Sequence, residues 1–273
     1  MEALRRIDGW AVDNAAAAVL DRDGEAGSRG DRDRIFRLAS VTKPMTALAC
    51  LVAAEEGVVD LDEPAGPPGS TIRHLLAHAS GLPFEGGAPP IARPGTRRIY
   101  SNAGFEALAE ALAARAEMPF ADYLRAAVFE PLGLATAELR GSPGAGVHAS
   151  LADVVRFAAE LLEPTLVSAE TFAEATSVQF PGLAGVLPGV GRYDPLDWGL
   201  GVELKDAKEP HWSGSRTSPR AFGHFGGSGT FVWVDPVPRL ACVCLTDREF
   251  GPWALDAWPR LSDAVLAEAT PDS

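Results

Sequence analysis

Ser40, Val41, Thr42 and Lys43 read S-x-x-K, and the apolar run that follows them is patterned as a helix. Residues three apart in a helix are neighbours, so this spacing puts an alcohol and an amine on one face. The pair is a nucleophile with its own base. A serine hydroxyl alone reacts poorly at neutral pH, whereas a lysine kept partly neutral by burial or nearby positive charge can take its proton. Taken alone, the tetrapeptide also reads as a helix N-cap serine followed by a solvated lysine.

Two further stations carry compatible chemistry. Tyr100, Ser101 and Asn102 precede the helix-patterned AGFEALAEALAARAE, which places a phenol and an amide at a loop-to-helix junction. Structurally, Ser101 or Asn102 also serves there as an N-cap, with Tyr100 packed at the core edge. His224, Phe225 and Gly226 lie in GHFGGSGTFVWVD, a glycine-dense entry into an alternating strand pattern. The bare backbone at Gly226 and Gly227 lets a ligand approach the strand's N–H groups.

Other candidates are weaker. His74 and His78 in HLLAH have the i, i+4 spacing of a helical zinc pair, but no glutamate follows His74 and no third ligand is evident. No metal and no cofactor is expected. Glu55, Glu56, Asp60, Asp62 and Glu63 read as solvated carboxylates, and Trp198, Trp212 and Trp233 as core or rim packing. No GxxxxGK[ST] or GxGxxG run supports nucleotide binding.

The elements that must position these residues follow from periodicity. AAAAVLDRDG reads as a strand and turn, and Thr42 to Glu56 as a buried helix closed by Gly57. Helical patterns cover 103–117, 121–130, 151–163 and 169–177. GLGVELK, GTFVWVD and RLACVCLT read as strands, and helix returns over 259–269. The expected fold is α+β: an antiparallel sheet from both chain ends, flanked by helices, with a helical subdomain in the middle. One domain spans 1–273, its α/β part over about 1–57 and 196–273 and its helical part over about 58–195. Segments 64–69, 83–95 and 181–195 read as loops, the last two as rims of the site.

Composition narrows the partners. The chain has 273 residues, 47% of them hydrophobic, enough for one large core. A formal charge of -13 argues against nucleic acid or an anionic membrane surface as partner. The first twenty residues read as no export signal, and no run is long enough for a transmembrane helix. Three cysteines, an odd number, fit a reducing compartment, so a cytoplasmic location is expected.

S-x-x-K, Y-S-N and H-x-G, in that order, resemble the class C branch of the serine β-lactamase and penicillin-binding-protein superfamily. FRLASVTKPMTALACLVAAEEGVVDLDEP, TIRHLLAHASGLP, VFEPLGL, SLADVVRFAAELL and GHFGGSGTFVWVDP carry the resemblance from about Arg34 onward. The branch includes D-alanyl-D-alanine carboxypeptidases and family VIII carboxylesterases. The resemblance implies a β-lactamase/transpeptidase-like fold, with the site where sheet and helical region meet. It implies an acyl-enzyme mechanism in which Ser40 attacks a carbonyl and Lys43 and Tyr100 share the proton, the tyrosine held partly as phenolate beside cationic Lys43. Asn102 would orient Lys43 or a substrate amide. The N–H groups of Ser40 and Gly227 would form the oxyanion hole, and His224 would hydrogen-bond near Tyr100. His224 replaces the lysine of the K-T-G version of the third motif, which favours a small-ester hydrolase. Alternatives are a D-alanyl-D-alanine carboxypeptidase, a weak class C β-lactamase, or a penicillin-binding-type protein or pseudoenzyme without turnover.

Overall fold

The computed structural model describes residues 1–270; residues 271–273, counted in the expected domain, lie outside the described residues. Strands β1 (Ala15–Asp21) and β2 (Gly24–Arg29) come first, and β3 (Ile35–Arg37) leads into the S-x-x-K segment. The middle of the chain supplies β4 (Arg98–Ile99), β5 (Glu138–Leu139), β6 (Val147–Ser150), β7 (Gly185–Leu187) and β8 (Gly191–Tyr193). The last four are β9 (Glu203–Leu204), β10 (Phe222–Gly226), β11 (Thr230–Asp235) and β12 (Leu240–Thr246). The main sheet runs β2-β1-β12-β11-β10-β9, all antiparallel, so both chain ends do meet in one sheet.

Both faces of that sheet are covered. Along β12, Ala241, Val243 and Leu245 join one apolar cluster while Cys242 and Cys244 join the other. β11 divides the same way, with Val232 and Val234 against Phe231 and Trp233. Side chains alternate across a strand, so a sheet buried on both sides reads as an unbroken apolar run. The first cluster holds helices α1 (Thr42–Glu55), α2 (Ile72–Leu76), α3 (Asn102–Ala116), α4 (Phe120–Leu124) and α5 (Leu151–Leu162). Helix α6 (Ala169–Ala175) sits beside them. On the second face lie the 3-10 segment Glu2–Gly9 and helix α7 (Pro252–Ala269). Two smaller sheets, β3-β6-β5 and β4-β7-β8, frame the site.

Several elements differ from the sequence expectation. The run 199–205 pairs only over β9, because Gly199 N–H bonds Val202 carbonyl and Gly201 turns at φ 79° to pack on Ala47. The helix expected over 121–130 is α4 followed by a π turn at Arg125–Phe129. Helix α7 starts at Pro252, well before Pro259, which lies inside it. Proline at the first turn costs no hydrogen bond, so Pro252 is the better start. The 181–195 loop contains the β7-β8 hairpin.

Candidate active site

Ser40 sits in a 3-10 turn, Ala39–Val41, that feeds α1; the S-x-x-K tetrapeptide therefore straddles two helix types. In a 3-10 turn residues i and i+3 eclipse, which brings Lys43 directly against Ser40. Ala39 holds φ 45°, a conformation that suits glycine better than a residue with a Cβ. Lys43 is fully buried, and its Nζ donates to Asn102 Oδ1 at 2.6 Å, Gly144 carbonyl at 2.8 Å and Ser40 Oγ at 3.3 Å. All three acceptors are neutral. Burial pushes the Lys43 ammonium down to about 7, against a weaker opposing pull from Glu85 and Glu106. The Gly144 backbone reaches the amine because a Cβ there would crowd Phe105, Asn102 and Lys43.

The second motif straddles β4 and α3. Tyr100 follows β4, and Ser101 is the N-cap, its Oγ accepting from Gly104 N–H at 2.8 Å. Asn102 opens α3, receives the Lys43 amine, and donates from Nδ2 to Glu85 Oε1 at 3.0 Å. Tyr100 lies among His78, Phe84, Trp198 and His224, all with ring centroids within 6 Å.

His224 stands on β10 itself, one strand earlier than the sequence pattern indicates, and Gly227 falls in the turn after that strand. The glycine of H-x-G has a steric cause: a Cβ on Gly226 would collide with the Leu38 carbonyl beside the Ser40 turn. His224 Nδ1 lies 2.7 Å from Phe225 carbonyl, so Nδ1 carries the proton and donates there. Burial pushes the imidazole down to about 3, with the Lys43 charge adding to the effect. Neutral His224 thus presents Nε2 as acceptor to the Tyr100 hydroxyl at 3.5 Å.

A tyrosine phenolate is not what these surroundings favour. Burial raises the Tyr100 hydroxyl well above its usual value and outweighs the contact with Ser40 that lowers it. Lys43 Nζ lies 4.6 Å from the centroid of the Tyr100 ring, over its face. A cation held there does little for a charge on the phenol oxygen, so Tyr100 remains protonated while Lys43 is the group that loses its proton near neutrality.

A cleft of about 240 Å³ opens over Ser40, walled mainly by Phe84, Leu187, Pro188, Phe225 and Phe250, and it also reaches Tyr100, His224 and Gly227. All seven residues singled out by motif therefore converge: Ser40, Lys43, Tyr100 and Asn102 from the helical side, His224, Gly226 and Gly227 from the sheet. A scan of family models matches the Beta-lactamase family over residues 6–266. The chain belongs to the Beta-lactamase family. Within that family it is similar to the crystal structure of a β-lactamase from Mycobacterium bovis, at 56% identity and a TM-score of 0.96, covering 98% of this chain and 99% of that one. It is 33% identical to esterase EstB of Burkholderia gladioli, over 90% of this chain and 66% of the relative. It is 30% identical to the D-alanyl-D-alanine-carboxypeptidase/endopeptidase AmpH of Escherichia coli K12 over 42% of this chain, and spans only 39% of that protein.

His74 and His78 each have the Nδ1 ring nitrogen engaged within the protein. His74 Nδ1 lies 2.9 Å from Thr71 Oγ1 and its ring stacks on Phe180, while His78 Nδ1 accepts Ser101 N–H at 3.1 Å. His78 thereby pins the loop that carries Tyr100. Sequence reasoning missed this link, Gly144 and Glu85, because each is a through-space contact with no spacing signature. Among the described residues, no group of three or more His, Cys, Asp or Glu side chains is placed to hold a metal. Trp198, Trp212 and Trp233 are all buried, and so are the three free cysteines. Among the described residues, no helix is long and apolar enough to cross a membrane.

Proposed function

We propose that this protein is a serine hydrolase that forms an acyl-enzyme on a small ester. The observation that carries the reading is a fully buried Lys43 whose Nζ lies 3.3 Å from Ser40 Oγ among neutral acceptors, with burial pushing its ammonium down to about 7. Lys43 takes the Ser40 proton as the Oγ–carbonyl carbon bond forms, and the N–H groups of Ser40 and Gly227 receive the oxyanion. The bond from that carbon to the leaving oxygen then breaks. Lys43 gives the proton up to the departing alkoxide. Water repeats the sequence on the acyl-enzyme, releasing the acid and restoring Ser40. Asn102 holds the Lys43 amine, and neutral His224 holds the Tyr100 hydroxyl.

The apolar walls above Ser40 support an ester rather than a peptide, since they offer few groups to pair with buried amides. A cytoplasmic setting without nucleic-acid or membrane partners goes with this reading, and three free thiols support it. A second reading, β-lactam hydrolysis, is favoured by the description of the 56% identical relative as a β-lactamase. One preparation assayed on short p-nitrophenyl esters, a chromogenic cephalosporin and a D-alanyl-D-alanine peptide separates the readings. Ester turnover well above the other two is expected; efficient cephalosporin hydrolysis without ester turnover would reverse the order.

A further inference from the structure

Beside the cleft over Ser40 lies an extension, a second space of about 390 Å³ that shares the lining residues Phe84, Tyr100 and Pro188 with it. The floor of this extension is the small sheet β4-β7-β8. In that sheet Ile99 pairs with Val186, and Val186 with Arg192. Arg97 immediately precedes β4 and lines the same space. The space therefore has apolar lining at Ile99 and Val186 together with two arginines, Arg97 and Arg192.

Two observations mark this space as a binding surface. Phe84, Ile91 and Val186 are 47%, 62% and 55% exposed, and all three line this one space, although only eight large hydrophobic residues are exposed among the described residues. Arg97 and Arg192 have no carboxylate within ion-pair distance among the described residues. The chain has 37 acidic side chains to 24 Lys and Arg, so these two are not unpaired for want of acids. Arg98, next to Arg97 in the chain, shows the contrast: its buried guanidinium is used up on the carbonyls of Ala77, Gln179 and Leu196. An apolar chain laid over Ile99 and Val186 from Ser40 would bring its far end to the arginines. Guanidinium pairs well with carboxylate, through two parallel hydrogen bonds.

We propose that this extension is a substrate subsite, and that the substrate is an ester whose aliphatic chain ends in a carboxylate held by Arg97 and Arg192. The proposal rests on the ester-hydrolase reading. It goes beyond it by naming the class of ester.

The test compares length-matched esters with and without the terminal charge. Mono-p-nitrophenyl adipate against p-nitrophenyl hexanoate places the carboxylate on the acyl side; 6-butanoyloxyhexanoate against hexyl butanoate places it on the alcohol side. In one of the two pairs, kcat/KM for the charged ester is expected to exceed that for the neutral one by roughly tenfold at low salt, as befits a charge-assisted contact at a partly exposed site. That pair identifies the half of the substrate that occupies the cleft. The ratio should fall toward one in the Arg97→Gln/Arg192→Gln variant, and should shrink in the wild type as salt is raised. Turnover of neutral esters with no charged preference in either pair would overturn the subsite alone. So would a preference that survives loss of both arginines. No turnover of any ester would overturn the hydrolase reading, and the subsite with it.

Discussion

All three lysines in this protein are buried, and Lys43 and Lys208 show that only one is built to be a base. Lys208 donates to the carbonyls of Asp197 and Leu204 and lies 3.7 Å from the Glu203 carboxylate. Glu203 is itself buried, accepting from Trp212 Nε1 at 2.6 Å and facing His211 Nε2 at 3.2 Å. Lys43 meets only neutral oxygens. Burial lowers both ammonium groups, but at Lys208 Glu203 leads the carboxylates that pull it back, whereas the carboxylates that act on Lys43 make none of its hydrogen bonds. Burial alone does not make a general base; Lys43 also has Ser40 Oγ within reach and no carboxylate among its hydrogen-bond partners.

The largest effect expected from breaking this contrast is at Ser40. Ser40→Ala should lower ester turnover roughly 10⁴-fold or more and abolish labelling by a fluorophosphonate, read by intact mass and peptide mapping. Labelling to the wild-type extent would reassign the nucleophile.

Lys43→Met should lower acylation by roughly 10²–10⁴-fold, measured by stopped-flow with an activated ester. Its stability should move the other way, with a pH signature. The unfolded chain keeps the Lys43 proton up to 10.5 and the folded chain only to about 7. Between those values the unfolded state binds more protons, so wild-type stability rises with pH there, and the cost of burying Lys43 is greatest below 7. Denaturation midpoints should therefore show Lys43→Met gaining most over wild type below pH 7, the advantage fading toward 10.5. An advantage independent of pH would mean that folding does not shift the lysine.

Lys208→Met should invert the pattern. It leaves Glu203 buried with one cation fewer, and loss of one member of a buried ion pair costs about 3 kcal/mol. Urea unfolding measures that loss. Fluorophosphonate labelling of Ser40 should persist, because no atom of Lys208 touches the nucleophile.

These contrasts also show what a sequence conveys and what it does not. Ser40 and Lys43 were legible because one turn of helix fixes their relation, and the β11 and β12 strands because burial on both faces leaves unbroken apolar runs. Tyr100 and His224 were legible as residues but not in their protonation, which depends on a shell of rings and carbonyls gathered from distant segments. His224 was placed beside a strand rather than on one, because F-G-H-F-G lacks the β-branched residues that mark strands. Glu85 is likewise a contact between distant segments, reaching Asn102 only because its loop folds over the start of α3. Glu85→Gln gives the smallest predicted effect: it keeps a hydrogen-bond acceptor for Asn102 but removes a charge that raises Lys43. The midpoint of the pH–rate curve should fall by roughly a few tenths of a pH unit. No change, or a rise, would remove Glu85 from the electrostatics of Lys43.

The most direct test of a neutral Lys43 as base is the pH dependence of kcat/KM for a short p-nitrophenyl ester, corrected for spontaneous hydrolysis. The free enzyme's essential base controls this quantity. His224, lowered to about 3, and Tyr100, raised above its usual range, do not titrate near neutrality, so a single ascending limb centred at about pH 7 is expected. A limb centred near 10.5, the value of a solvated lysine, or a rate flat across neutrality, would contradict the account.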